Sequence, residues 1–176
     1  RKLDRLEAVP IAGTEGGIAP FLSPDDRWVG FWAGDRLRKV PVEGGVPQDI
    51  CVGSRFFGAG WGDDGAIYCN VGGEASGIGR VPPGGGQMET LTVPDPALGE
   101  YGHRLPAPLP GCKGVLFTIV RTGWEMKPRL AFLDLATGKW RELLEDASDA
   151  RYIPTGHIVF LRQGTLMAAP FDPGRG

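Results

Sequence analysis

The chain has 176 residues, 41% of them apolar and 23% charged, with a formal net charge of −2. That is enough for one domain with a substantial core, and the scattered Lys and Arg give no electrostatic case for nucleic acid. No apolar run approaches the ~20 residues that span a bilayer, and no stretch reads as a signal peptide. Arg1 stands where an initiating Met would, so a piece of a longer chain is expected, with any targeting or membrane segment outside it. The 29 Gly and 16 Pro fall between apolar runs, as turns do, which favours many short strands over low complexity.

Taken in order, the predicted elements repeat. SPDDRWVGFW from Ser23 is a turn and an apolar run, followed by RLRKVPVEGG and VPQDI. WGDDGAIYCN from Trp61 begins the same way and continues into GIGRVPPGGG and METLTV. LPGCKGVLFTIV from Leu109 leads to RLAFLDLATG and KWRELL, and IPTGHIVFLRQG from Ile153 leads to TLMAAPFDPG. Pro24, Gly62, Pro110 and Pro154 are assigned one equivalent position, at spacings of 38, 48 and 44 residues, and Leu37, Ile78, Leu130 and Leu166 another. Alternation across the Gly-Gly and Thr-Gly turns is a hairpin signal. A period near 40 with four strands per repeat is the signature of propeller blades.

The fourth copy stops after its third strand, and the N-terminus supplies the rest. RKLDRLEAVPI aligns without gaps on VPVEGGVPQDI at an offset of 39, placing Leu3 on Val42 and Ile11 on Ile50. The expected fold is therefore all-β: one β-propeller domain over residues 1–176, made of four four-stranded blades. The blades span about 18–53, 56–94, 103–145 and 149–172 plus 1–12. Residues Leu3 to Ile11 are expected to close the last blade, within the same chain or in a strand-exchanged homo-oligomer.

These stretches resemble the TolB-like, WD-repeat-like propellers of bacteria. LDRLEAVPIAGTEGGIAPFLSPDDRWVGFW, GIGRVPPGGGQMETLT, HRLPAPLPGCKGVLFT and ARYIPTGHIVFLRQGTLMAAPFD look most like the propeller that follows the kinase domain in bacterial serine/threonine protein kinases. The resemblance covers nearly the whole chain. It implies a sensing or binding role and a place on the extracytoplasmic face of a membrane. No Gly-rich loop with a strand Lys, no H-R-D and no D-F-G lies in the chain, so kinase activity is not carried over.

The motifs resolve mostly into structure. Asp25-Asp26 and Asp63-Asp64 recur at hairpin turns, where Asp bonds its own backbone, and are read as turn residues before calcium ligands. VGGEASGIG and PPGGGQ lack the helix and Lys of a phosphate loop. Cys51, Cys69 and Cys112 show no C-x-x-C spacing and are expected as free, mostly buried thiols, so no metal site and no cofactor are expected. His103, near Glu100 and Arg104, has no nucleophile motif beside it and suits a loop or inter-blade hydrogen bond. Trp124, in the insertion VRTGWEMKP, is expected to cap its own hairpin, with a partner anchor as the alternative.

By offset, GTEGGIAPFL, SRFFGAGW, EYGHRLPAPL and SDARYI enter the four inner strands. Glu15, Arg55, His103, Arg104 and Arg151 are the polar side chains expected near the channel mouth. The functional expectation is a non-catalytic propeller that binds or senses a protein or small ligand. A propeller hydrolase or lyase, and a structural or engineered fragment, are the alternatives.

Overall fold

The computed structural model describes residues 8–123 and 127–174. It is a four-blade β-propeller with antiparallel sheets in sequential strand order. The first blade holds β1 (Ile18–Leu22), β2 (Trp28–Ala33), β3 (Arg36–Pro41) and β4 (Gln48–Val52). The second holds β5 (Ala59–Trp61), β6 (Ile67–Cys69), β7 (Gly79–Val81) and β8 (Glu89–Thr90). The third holds β9 (Glu100–Pro108), β10 (Gly114–Arg121), β11 (Arg129–Asp134) and β12 (Trp140–Glu145). The fourth, among the described residues, holds β13 (Ser148–Ile153), β14 (His157–Arg162) and β15 (Thr165–Pro170). Among the described residues, helix is confined to two short 3₁₀ turns, Pro96–Leu98 and Pro110–Cys112.

Each first hairpin turns at one structural position. Ser23, Gly62, Leu109 and Ile153 accept, through their carbonyls, the N–H of the residue three further on. That later residue is left-handed each time: Asp26 (φ 57°), Gly65 (φ 79°), Cys112 (φ 52°) and Gly156 (φ 76°). Pro24 therefore corresponds to Asp63, not Gly62. The spacings become 39, 47 and 44, a one-residue correction to the sequence alignment. The second strands of the first three blades are mostly apolar and buried, and that of the fourth is only partly buried. Phe117 of β10 packs against Tyr68 and Ile78 of the preceding blade.

The blades stack in chain order, first on second, second on third and third on fourth. Trp32, Leu37 and Ile50 meet Ile67, Cys69 and Val81. Leu116, Leu130 and Phe132 meet Ala150, Ile158 and Phe160. Leu37, Ile78 and Leu130 are fully buried, each contributing roughly 1.5–3 kcal/mol of apolar burial. Their counterpart Leu166 is 69% exposed on the flank of the fourth blade. The strand expected at Leu3 to Ile11 lies mostly outside the described residues. Its described part, 8–11, forms no strand, and Ile11 packs on Val29, Phe31 and Val40 of the first blade. Trp124 also lies outside the described residues.

Candidate ligand-binding face

Antiparallel connectivity sorts the loops. The links from each fourth strand to the next inner strand share one face with the links between second and third strands. The first and third hairpin turns lie on the opposite face. Segments 53–58 and 70–78 of the second blade and the start of β9 therefore converge on one loop-bearing face. Bulges shape the inner strands there. Register shifts fall inside β1, β9 and β13. Each carries a left-handed residue: Ala19 (φ 50°), Leu105 (φ 54°) and Asp149 (φ 51°). Gly58 (φ 109°) holds the matching place before β5. A non-Gly residue held there costs of order 1–3 kcal/mol, and a bulge re-aims its neighbours' side chains. Leu105 N–H also donates to Phe57 C=O at 2.8 Å, tying the third inner strand to the second.

Beside this bond lies a polar and aromatic cluster. The Arg104 guanidinium carbon sits 3.8 Å from the centre of the Phe57 ring and 5.7 Å from that of Tyr101. Arg55 pairs with Glu74 at 2.6 Å. Arg104 Nε is buried without a hydrogen-bond acceptor, and no ion pair of Arg104 is found among the described residues. Burial, with a smaller push from Arg55, holds its pKa below the ordinary arginine value, and Glu74 partly offsets this. Gly102 makes the junction tight: a Cβ there would lie 2.6 Å from the Glu74 carbonyl oxygen.

Of the residues expected near the channel mouth, Arg55 and Arg104 are thus brought together. Glu15 is apart in the first blade, accepting from Gly13 N–H at 3.3 Å. Arg151 is apart in the fourth, 2.7 Å from Asp149. His103 is fully buried between the second and third blades. Its Nδ1 is 2.8 Å from Thr92 Oγ1, which accepts from Ile78 N–H. That geometry assigns the Thr92 hydroxyl as donor to Nδ1 and Nε2–H as donor to Glu100, 3.1 Å away. Glu100 also accepts from Asp95 N–H at 2.7 Å. Phe117 and Trp140 cover the ring at 4.9 and 5.5 Å. Burial lowers the His103 pKa, against the opposing pull of Glu100. Sealed from substrate, this pair serves as a bolt between blades.

Asn70, Thr92, Phe57, Tyr101 and Glu74 are the residues that sequence reasoning did not single out. Asn70 Nδ2 donates to the carbonyls of His103 (2.5 Å) and Ser76 (2.9 Å). Trp32 and Thr118 pair with Leu37 and Leu130 of their third strands, and Asn70 follows β6 directly. Each touches the next blade's inner-strand entrance: Trp32 stacks on Phe56 at 5.2 Å, and Thr118 accepts from Asp149 N–H at 3.0 Å. A buried polar residue closing an apolar run, as in AIYCN, was the available signal.

The carboxylates read as turn residues behave as such. Asp25 accepts from Ser23 and from Arg27 N–H, and these bonds lower its pKa. Asp63 accepts from Gly111 N–H of the next blade at 2.6 Å, and Asp64 from the Tyr68 hydroxyl at 2.8 Å. Among the described residues no group of three His, Cys, Asp or Glu side chains is placed to hold a metal. The three cysteines are free, with Cys69 buried and Cys51 and Cys112 half-buried. On the opposite face a cleft of about 750 Å³ opens between the third and fourth blades, over Leu109, Leu143, Tyr152 and Phe171.

The class defined by these features is a β-propeller with a polar loop face. Comparison with solved structures places it further. The chain matches a protein described as TolB from Agrobacterium tumefaciens at 20% identity and a TM-score of 0.67, covering 86% of this chain and 56% of that one. It matches oligogalacturonate lyase from Vibrio parahaemolyticus at 15% identity and 0.63, covering 84% and 46%. It also matches the extracellular domain described for a hybrid two-component system of B. thetaiotaomicron at 13% and 0.62, covering 91% and 21%. The architecture is TolB-like. The chain spans about half the length of the first of these relatives and less of the other two. No family model and no curated protein sequence matches it.

Proposed function

We propose that the chain is a non-catalytic binding propeller that receives a ligand on its loop face, where the second and third blades adjoin, as part of a bacterial signalling protein. The observation that carries this reading is the cluster in which Arg104 of the bulged strand β9 stacks on Phe57 and Tyr101 beside the loop-borne Arg55–Glu74 pair. Loops on a rigid scaffold are natural binding elements. The cleft on the opposite face is the competing location, but it holds no comparable unpaired buried polar atom. A non-catalytic role is favoured because the buried His103–Glu100 pair is walled off by Phe117 and Trp140. The extracellular domain described for a two-component system supports a sensing role by analogy, and the lyase keeps an enzymatic propeller as the rival.

The test is a thermal-shift screen of small acids, sugars and short peptides. Hits are then incubated with stoichiometric protein and analysed by mass spectrometry. The reading expects ligands that are recovered unchanged and that bind less well to Phe57→Ala. Turnover of a hit, or hits indifferent to Phe57→Ala, would overturn it.

A further inference from the structure

We infer that the Arg104 guanidinium, seated on the Phe57 ring at the junction of the second and third blades, binds a carboxylate group of the ligand, and that Glu74 competes for the same cationic patch by pairing with Arg55. The inference rests on the loop-face reading above and names the chemistry recognised there.

Arg104 stands out among the strand arginines. Arg36 and Arg38 reach Asp49, Arg80 reaches Glu89, and Arg129 reaches Glu142, each on a neighbouring strand. Arg121 and Arg104 each have a buried Nε without an acceptor, but the Arg121 guanidinium lies 3.7 Å from Glu142, whereas Arg104 reaches no carboxylate among the described residues. Arg104 is half-buried with its Nε out of reach of water, a placement that is costly for a cation without a carboxylate partner, and its guanidinium rests instead on an aromatic face. The guanidinium is a planar fork whose donors match a carboxylate, giving charge-assisted bonds that are stronger than neutral ones.

Local charge selects the ligand. Arg55 and Arg104 bring two positive charges and Glu74 one negative, leaving one unit for a single carboxylate. The Arg55–Glu74 contact at 2.6 Å shows that a carboxylate fits this patch. A ligand with a second carboxylate can displace Glu74 and span both arginines. Phe57 and Tyr101 supply an apolar wall beside it. The carboxylates can come from a small polycarboxylic acid or from acidic side chains of a peptide.

The experiment is isothermal titration with citrate, tetraglutamate, inorganic phosphate and a neutral sugar, on wild type, Arg104→Gln, Arg104→Lys and Glu74→Gln. Citrate or tetraglutamate is expected to bind, and which of them binds identifies the source. Arg104→Gln is expected to weaken binding about tenfold or more, as loss of a charge-assisted bond implies. Arg104→Lys keeps the charge without the fork and is expected to fall between. Glu74→Gln removes the competitor and is expected to tighten binding about threefold or more, a gain that misfolding cannot produce. Carboxylate binding indifferent to both Arg104→Gln and Glu74→Gln overturns the assignment, and so does a preference for phosphate. If only the neutral sugar binds, and Phe57→Ala abolishes it, the carboxylate assignment fails while the loop-face reading stands. If nothing binds at the face, both fail.

Discussion

Acidification from pH 8 to pH 5 is expected to destabilise the fold through His103. The unfolded imidazole takes up its proton near 6.5, whereas burial against Phe117 and Trp140 keeps the folded one neutral to lower pH. The unfolded state then binds more protons than the folded one, so stability is flat above about 6.5 and falls as the pH drops below it. The ceiling is 1.36 kcal/mol per pH unit, which gives about 2 kcal/mol by pH 5. For a domain of this size that corresponds to roughly 4–8 °C in Tm. The assay is a set of thermal melts followed by circular dichroism at pH 8, 7, 6 and 5, on wild type and His103→Gln. The variant starts less stable, because it disturbs the contacts to Thr92 and Glu100, but its curve is expected to be flatter over this interval. Equal pH slopes in the two proteins would refute the reasoning, as would a wild type that gains stability on acidification.

Gly53→Ala places a Cβ 1.9 Å from the Val71 carbonyl oxygen, a backbone atom that cannot swing aside, and is expected to cost about 1–3 kcal/mol or more in urea denaturation. Gly84→Ala, which meets nothing within 4 Å, is the control and is expected to be neutral. Asn70→Ala removes the amide that satisfies carbonyls at Ser76, Gly77 and His103, and is expected to cost about 1–3 kcal/mol by the same assay. Thiol titration of denatured, unreduced protein is expected to find three thiols; one thiol would mean a disulfide.

The blade pattern was legible because turn chemistry and hydrophobic runs repeat, and the third-strand positions Leu37, Leu130 and Leu166 align by register as their sequences suggest, with Ile78 directly before β7. The first-turn alignment slipped by one residue in the second blade. The proline there is replaced by Asp63, and Gly62 imitates a turn position although the left-handed residue is Gly65. Arg55 and Arg104 were legible as inner-strand entrances, but their meeting was not. It depends on Phe57, on the 70–78 loop carrying Glu74 and on the space left by Gly102, which are 45 residues apart at the extremes. His103 was read both as a mouth residue and as an inter-blade bond. Only packing by Phe117 and Trp140 from later strands selects the second.

The most direct test of the central claim is hydrogen–deuterium exchange of the intact chain with and without saturating citrate. The account predicts slowed exchange in segments 53–58, 70–78 and 100–105, where the second and third blades present their loops. Protection confined instead to segments 109–113 and 152–156, on the opposite face beside the cleft, would contradict it, as would no change anywhere.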